Sequence, residues 1–123
     1  MTTTPAPRRP SIEKQDIKVE PAEGGISIAE IFGQPGKYEN KTIKIRGKVT
    51  KINNGIMGRN WVHLQDGTDS DGKYDLTVTT NDNVNEGEVV TFQGRVALNK
   101  DFGAGYNYDV IIEEAKTLTV TKM

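Results

Sequence analysis

Residues 43–50, Ile43-Lys44-Ile45-Arg46-Gly47-Lys48-Val49-Thr50, alternate apolar and polar side chains with a period of two. That period puts Ile43, Ile45, Gly47 and Val49 on one face of a β-strand and Lys44, Arg46, Lys48 and Thr50 on the other. A glycine in the middle of a long strand lets it coil and serve both halves of a closed barrel. Phe92-Gln93-Gly94-Arg95-Val96 repeats the pattern of Ile45-Arg46-Gly47-Lys48-Val49, so two strands face the same bending problem. We do not read the two pentads as a duplicated domain.

The flanking sequence supplies the other strands. Gly55 and Gly58 break the chain, and a second strand follows with Val62 and Leu64 on one face and Trp61, His63 and Gln65 on the other. Asp66-Gly67-Thr68-Asp69-Ser70-Asp71-Gly72 makes the next turn. Strand three is expected over Tyr74–Thr80 and strand four from about Glu88 to Leu98. Strand five is expected over Tyr108–Glu113, with Ala115–Val120 extending it past a kink. By parity Tyr74 and Tyr108 belong to the core. Five strands suit a small closed barrel better than a sandwich, which needs about seven.

Composition agrees with an all-β domain. Among 123 residues, Val, Ile and Thr number 34 against 13 for Leu, Ala and Met, and β-branched side chains fit pleated sheets. No run approaches the roughly 18 apolar residues of a membrane helix. The absence of cysteine rules out a disulfide framework and Cys-ligated zinc, and a single His makes a multi-His metal site or a His-based triad improbable.

Residues 1–25 hold four of the five prolines with four basic and four acidic side chains, and they read as a disordered N-terminal arm preceding a domain over 26–123. The arm lacks the apolar core of a signal peptide. Ser27-Ile28-Ala29-Glu30 matches a capping box, so a short amphipathic helix with Ile28, Ile31 and Phe32 on one face starts there and ends at Gly33 and Gln34-Pro35-Gly36. Its expected role is a lid over one end of the barrel.

Five strands, a first strand broken by a central glycine, and glycine-rich loops between strands one and two and between four and five resemble the OB-fold. Residues 27–117 are more closely similar to small bacterial OB-fold proteins of the tRNA-anticodon-binding-like type, often labelled DNA-binding or nucleic-acid-binding. The resemblance lies in Ile45–Val49, Asn54–Thr68 (Asn-Gly-Ile-Met-Gly-Arg-Asn-Trp-Val-His-Leu-Gln-Asp-Gly-Thr), Asp75–Thr80 and Lys100–Tyr106. It implies a periplasmic or secreted binding module with no established catalytic residues.

Charge is balanced overall but segregated along the chain. Residues 41–65 carry six cations (Lys41, Lys44, Arg46, Lys48, Lys51, Arg59) and no acid, whereas residues 66–88 carry seven acids against Lys73 alone. In an OB-fold, ligands lie across strands two and three beneath the loops joining strands one to two and four to five. Single-stranded nucleic acid needs cations for phosphates and rings for bases. Arg46, Lys48, Arg59, Trp61, His63, Lys100, Phe102 and Tyr106 therefore form the expected ligand-binding set, with Trp61 and His63 on the outer surface.

Other readings stand beside that one. The cations equally suit solvated strand faces that discourage edge pairing. Trp61 equally suits a satellite cluster under Phe102 or Tyr106. Asp75 would repel phosphate in the same groove. Asp66, Asp69 and Asp71 miss the EF-hand register, which leaves turn formation as their ordinary role, and the glycine-rich loops lack the Gly-Lys-Ser/Thr ending of a phosphate-binding loop. The expected function is thus non-catalytic binding of single-stranded nucleic acid or another anionic oligomer, without cofactor or metal. The rival is an exported envelope accessory module that binds a protein or glycan partner.

Overall fold

The computed structural model describes residues 13–103 and 106–121. The stretch 1–12, within the expected disordered arm, lies outside the described residues. Two short helices, α1 (Ile28–Gly33) and α2 (Pro35–Tyr38), precede five strands: β1 (Thr42–Ile56), β2 (Arg59–Gln65), β3 (Leu76–Thr80), β4 (Val89–Asp101) and β5 (Asn107–Thr121). They close in the order β1-β2-β3-β5-β4, with β3 and β5 parallel and every other pair antiparallel. The fold is all-β, a five-stranded OB-fold barrel.

Closure depends on β1 changing partners. Thr42 to Lys48 pair with β4, and Lys48 to Ile56 pair with β2. The switch falls beside Gly47, where an added Cβ would sit 2.7 Å from Leu64 Cγ and 2.8 Å from the Gln65 carbonyl oxygen. Gly94 has the same role on β4, with Ile112 Cγ2 at 2.6 Å from such a Cβ. Only glycine admits these approaches.

The barrel interior holds Ile45, Val49, Val62, Leu64, Leu76, Val78, Val90, Phe92, Val96, Val110 and Ile112, and Ile28 and Ile31 of α1 plug it from one end. Ser27 Oγ accepts from the Glu30 amide, as the capping box predicts. The Glu30 carboxylate turns instead to the Tyr38 hydroxyl, which donates to it. Pro35 does more than end α1: proline's fixed φ suits a first helical position, and α2 starts on it.

Several strand ends differ from the sequence expectation. β1 runs through Gly55 and turns at Met57-Gly58, both with positive φ (54° and 76°), a two-residue hairpin turn of the mirror-image kind. β3 starts at Leu76, two residues late, just after Asp75, whose carboxylate lies beside His63. The expected kink in β5 falls at Glu114 (φ 54°), where the register against both β3 and β4 shifts. Beyond Ala115, β5 pairs with β4 alone among the described residues.

Residues 13–25 form no helix or strand, but their main chain is fastened to the barrel. The Gln65 side chain, 1 % exposed, donates to the Glu13 carbonyl (3.0 Å) and accepts from the Gln15 amide (2.9 Å). The Val19 amide donates to the Asp66 carbonyl at 3.1 Å. Gly67 packs so tightly on the Ile17 carbonyl that a Cβ would come within 2.0 Å of its oxygen.

Candidate functional site

The β1–β2 and β4–β5 hairpins meet over the outer face of β2. Trp61 faces away from the barrel core, as its parity requires, but it is not at the surface: it is 2 % exposed. Phe102 meets it edge-on at 5.0 Å between centroids, Tyr108 stacks on it at 5.9 Å, and Tyr106 leans in at 6.0 Å. Its indole N–H donates to the Ile56 carbonyl at 2.8 Å. Ala97 and Ile111 complete this second apolar cluster. The expected open stacking ring is thus a pinned platform, because the β4–β5 hairpin folds over it.

His63 is also corrected. It is 5 % exposed, and its Nδ1 lies 2.7 Å from Asp75 Oδ2. Gln65 Nε2 lies 3.4 Å from the other Asp75 oxygen. Asp75 therefore holds a buried histidine in place and does not stand as a bare charge in the groove. Tyr108 is buried, but in the Trp61 cluster and not in the barrel core, because the β4–β5 ribbon extends past the rim, where inward parity no longer points at the core. Tyr74 is half-buried. Of the acidic turn, Asp66 accepts from the Ile28 amide at 2.9 Å and so caps α1 from outside, and Asp69 accepts from the Gly72 amide at 2.7 Å.

The eight expected residues separate into three groups. Arg59, Trp61, Lys100, Phe102 and Tyr106 come together. The Arg59 guanidinium lies 5.9 Å from the Trp61 ring centre and 5.8 Å from that of Phe102, and Lys100 Nζ lies 5.8 Å from the Phe102 ring. Beside them opens a cleft of about 390 Å³ lined by Gly58, Arg59, Thr79, Thr80, Asn81, Lys100, Phe102, Glu113 and Glu114. His63 is enclosed. Arg46 and Lys48 lie elsewhere: Lys48 pairs with Gln65 at one end of β2 and Ile56 with Arg59 at the other, a separation of roughly 20 Å at about 3.3 Å per residue.

One cation was missing from the expected set. Alternation past Val49 predicts that Thr50 continues the outer face, yet Val49 pairs with Leu64 and Lys51 with His63, so Thr50 is the extra residue of a bulge. The bulge brings Lys51 onto the outer face behind Lys44, Arg46 and Lys48. These four half-buried cations form one ridge along β1. None of them is ion-paired among the described residues, and Arg46 Nε donates to Thr91 Oγ1 at 2.8 Å. Around the cleft Arg95 and Lys100 are matched by carboxylates. Glu113, 6 % exposed, takes Arg95 at 3.2 Å and Lys100 at 3.6 Å, and Glu114 lies 3.6 Å from Arg95.

No protein-family model, curated protein or solved structure matches the chain. Among the described residues no helix is long and apolar enough to cross a membrane.

Proposed function

We propose that the protein is a non-catalytic OB-fold binding module for an anionic oligomer, single-stranded nucleic acid foremost, and that the oligomer runs along the outer face of β1. The observation that carries this reading is the ridge of Lys44, Arg46, Lys48 and Lys51, cations without carboxylate partners among the described residues. Two residues of strand separate successive members of the first three, about 6.6 Å, so their charges follow a linear chain. Buried Trp61 and His63 leave the half-buried rings Phe102 and Tyr106 as the aromatic contribution. Binding is therefore mostly electrostatic, weak and salt-sensitive. The family resemblance adds a periplasmic or secreted setting to the proposal.

Fluorescence anisotropy with labelled oligothymidylate, titrated with salt, tests it. Affinity should fall linearly on logarithmic axes, and alanine at Lys48 or Lys51 should lower the slope by about 0.7, the share of one phosphate contact on a single strand. A flat signal at low salt, or an unchanged slope in both variants, removes the ridge as a nucleic-acid track and leaves the protein or glycan partner as the reading to pursue.

A further inference from the structure

We infer that the cleft between the two hairpins is a base pocket that prefers guanine. The inference deepens the ridge reading and rests on it in one respect, since it supplies base selection for a strand whose phosphates the ridge holds.

The volume of about 390 Å³ lies near the small end of ligand pockets and suits a single nucleoside. Arg59 reaches the cleft on a fixed support: it rests on Phe102 and on Trp61, whose indole is buried and tied to Ile56. Among the described residues the Arg59 guanidinium has no ion pair, so its fork of N–H donors is unspent. Such a fork selects two adjacent acceptors, and its commonest base partner is the O6/N7 edge of guanine.

The β5 side of the cleft offers the complementary chemistry. Both Glu113 oxygens already face cations. Glu114 is engaged through one oxygen only: Oε1 lies 3.6 Å from Arg95 while Oε2 faces no cation among the described residues, its side chain is 79 % exposed, and its φ of 54° is left-handed, which is uncommon away from glycine. That conformation belongs to the β5 bulge, and bulges re-aim side chains beside sites. An available carboxylate accepts from N–H donors, which guanine carries at N1 and N2. Adenine presents an amino group where guanine has O6, and the pyrimidines lack the N7 acceptor. The Thr79 and Thr80 hydroxyls, at 3.4 Å and 2.7 Å from the Ile112 and Ala115 carbonyls, are spent as donors within the fold.

Calorimetric titration of the full chain with guanosine, adenosine, cytidine and uridine 5′-monophosphates tests the pocket, alongside the oligothymidylate titration. Guanosine monophosphate should bind roughly tenfold tighter than the other three, the scale of one bidentate pair. Arg59→Lys and Glu114→Gln should each remove most of that preference. Equal binding of the four nucleotides, or a preference that survives both substitutions, overturns the pocket. Oligothymidylate binding without mononucleotide binding defeats the pocket and keeps the ridge. A guanine preference without oligothymidylate binding keeps the pocket and removes the ridge, and binding of neither defeats both.

Discussion

Individual side chains mark the limit of what parity reveals. Alternation along Trp61-Val62-His63-Leu64-Gln65 correctly sends the first, third and fifth residues away from the barrel core. It carries no information on what then covers them, and all three are covered. The cover comes from distant chain: the β4–β5 hairpin over Trp61, Asp75 at His63, and the main chain of Glu13 and Gln15 at Gln65. Asp66 is a similar case, since its spacing to Asp69 and Asp71 suggests a turn, whereas its carboxylate holds the start of α1. Tyr38 and Glu30 give a pH test at this scale. The hydrogen bond to Glu30, assisted by burial, raises the Tyr38 hydroxyl above its ordinary value near 10. Above that value the unfolded chain loses a proton that the folded chain keeps, so the contribution is intact below about pH 10 and is lost as pH rises through the folded value. Urea denaturation of wild type and Tyr38→Phe across alkaline pH should show wild type losing stability more steeply. Parallel curves would remove Tyr38 from the account.

Among the elements, the two mid-strand glycines were the most legible feature, because a strand that bends through its own partners has few residues to choose from. Gly47→Ala should cost about 1–3 kcal/mol, the scale of overpacking against Leu64 Cγ and the Gln65 carbonyl. Gly36→Ala in α2, where an added Cβ meets nothing within 4 Å, is the control and should be neutral or slightly stabilising. Equal denaturation midpoints for the two variants would mean that β1 reaches both partners without the close approach. The bulge in β1 was the least legible feature. Thr50 is an ordinary strand residue in composition, and only the pairing of β1 with β2 reveals it as the added residue. That single slip hides Lys51, whereas the irregularity at Glu114 falls where the sequence expects a kink, between Glu113 and Ala115.

For the molecule as a whole, the charge segregation visible in the sequence survives folding in altered form. The basic half becomes the β1 ridge, while several members of the acidic half are taken up internally: Asp66 at α1, Asp75 at His63, and Glu88 at the Asn85 amide. The arm shows how little composition reveals about attachment, because its side chains from Glu13 to Asp16 are exposed while its main chain is gripped. Gln65→Ala should speed hydrogen exchange at the Gln15 and Val19 amides and leave those of Val62 and Val78 protected. Unchanged exchange at Val19 would show that Asp66 and Gly67 hold the arm unaided. The far end of the chain behaves differently. Past Ala115 one flank of β5 is unshared by β3, and Leu118 and Val120 stand 45 % and 44 % exposed there. Unpaired strand groups at a sheet edge invite a second strand, and here the irregular step at Leu118, with the Thr117 amide already donating to Asp82 at 2.8 Å, breaks up that row.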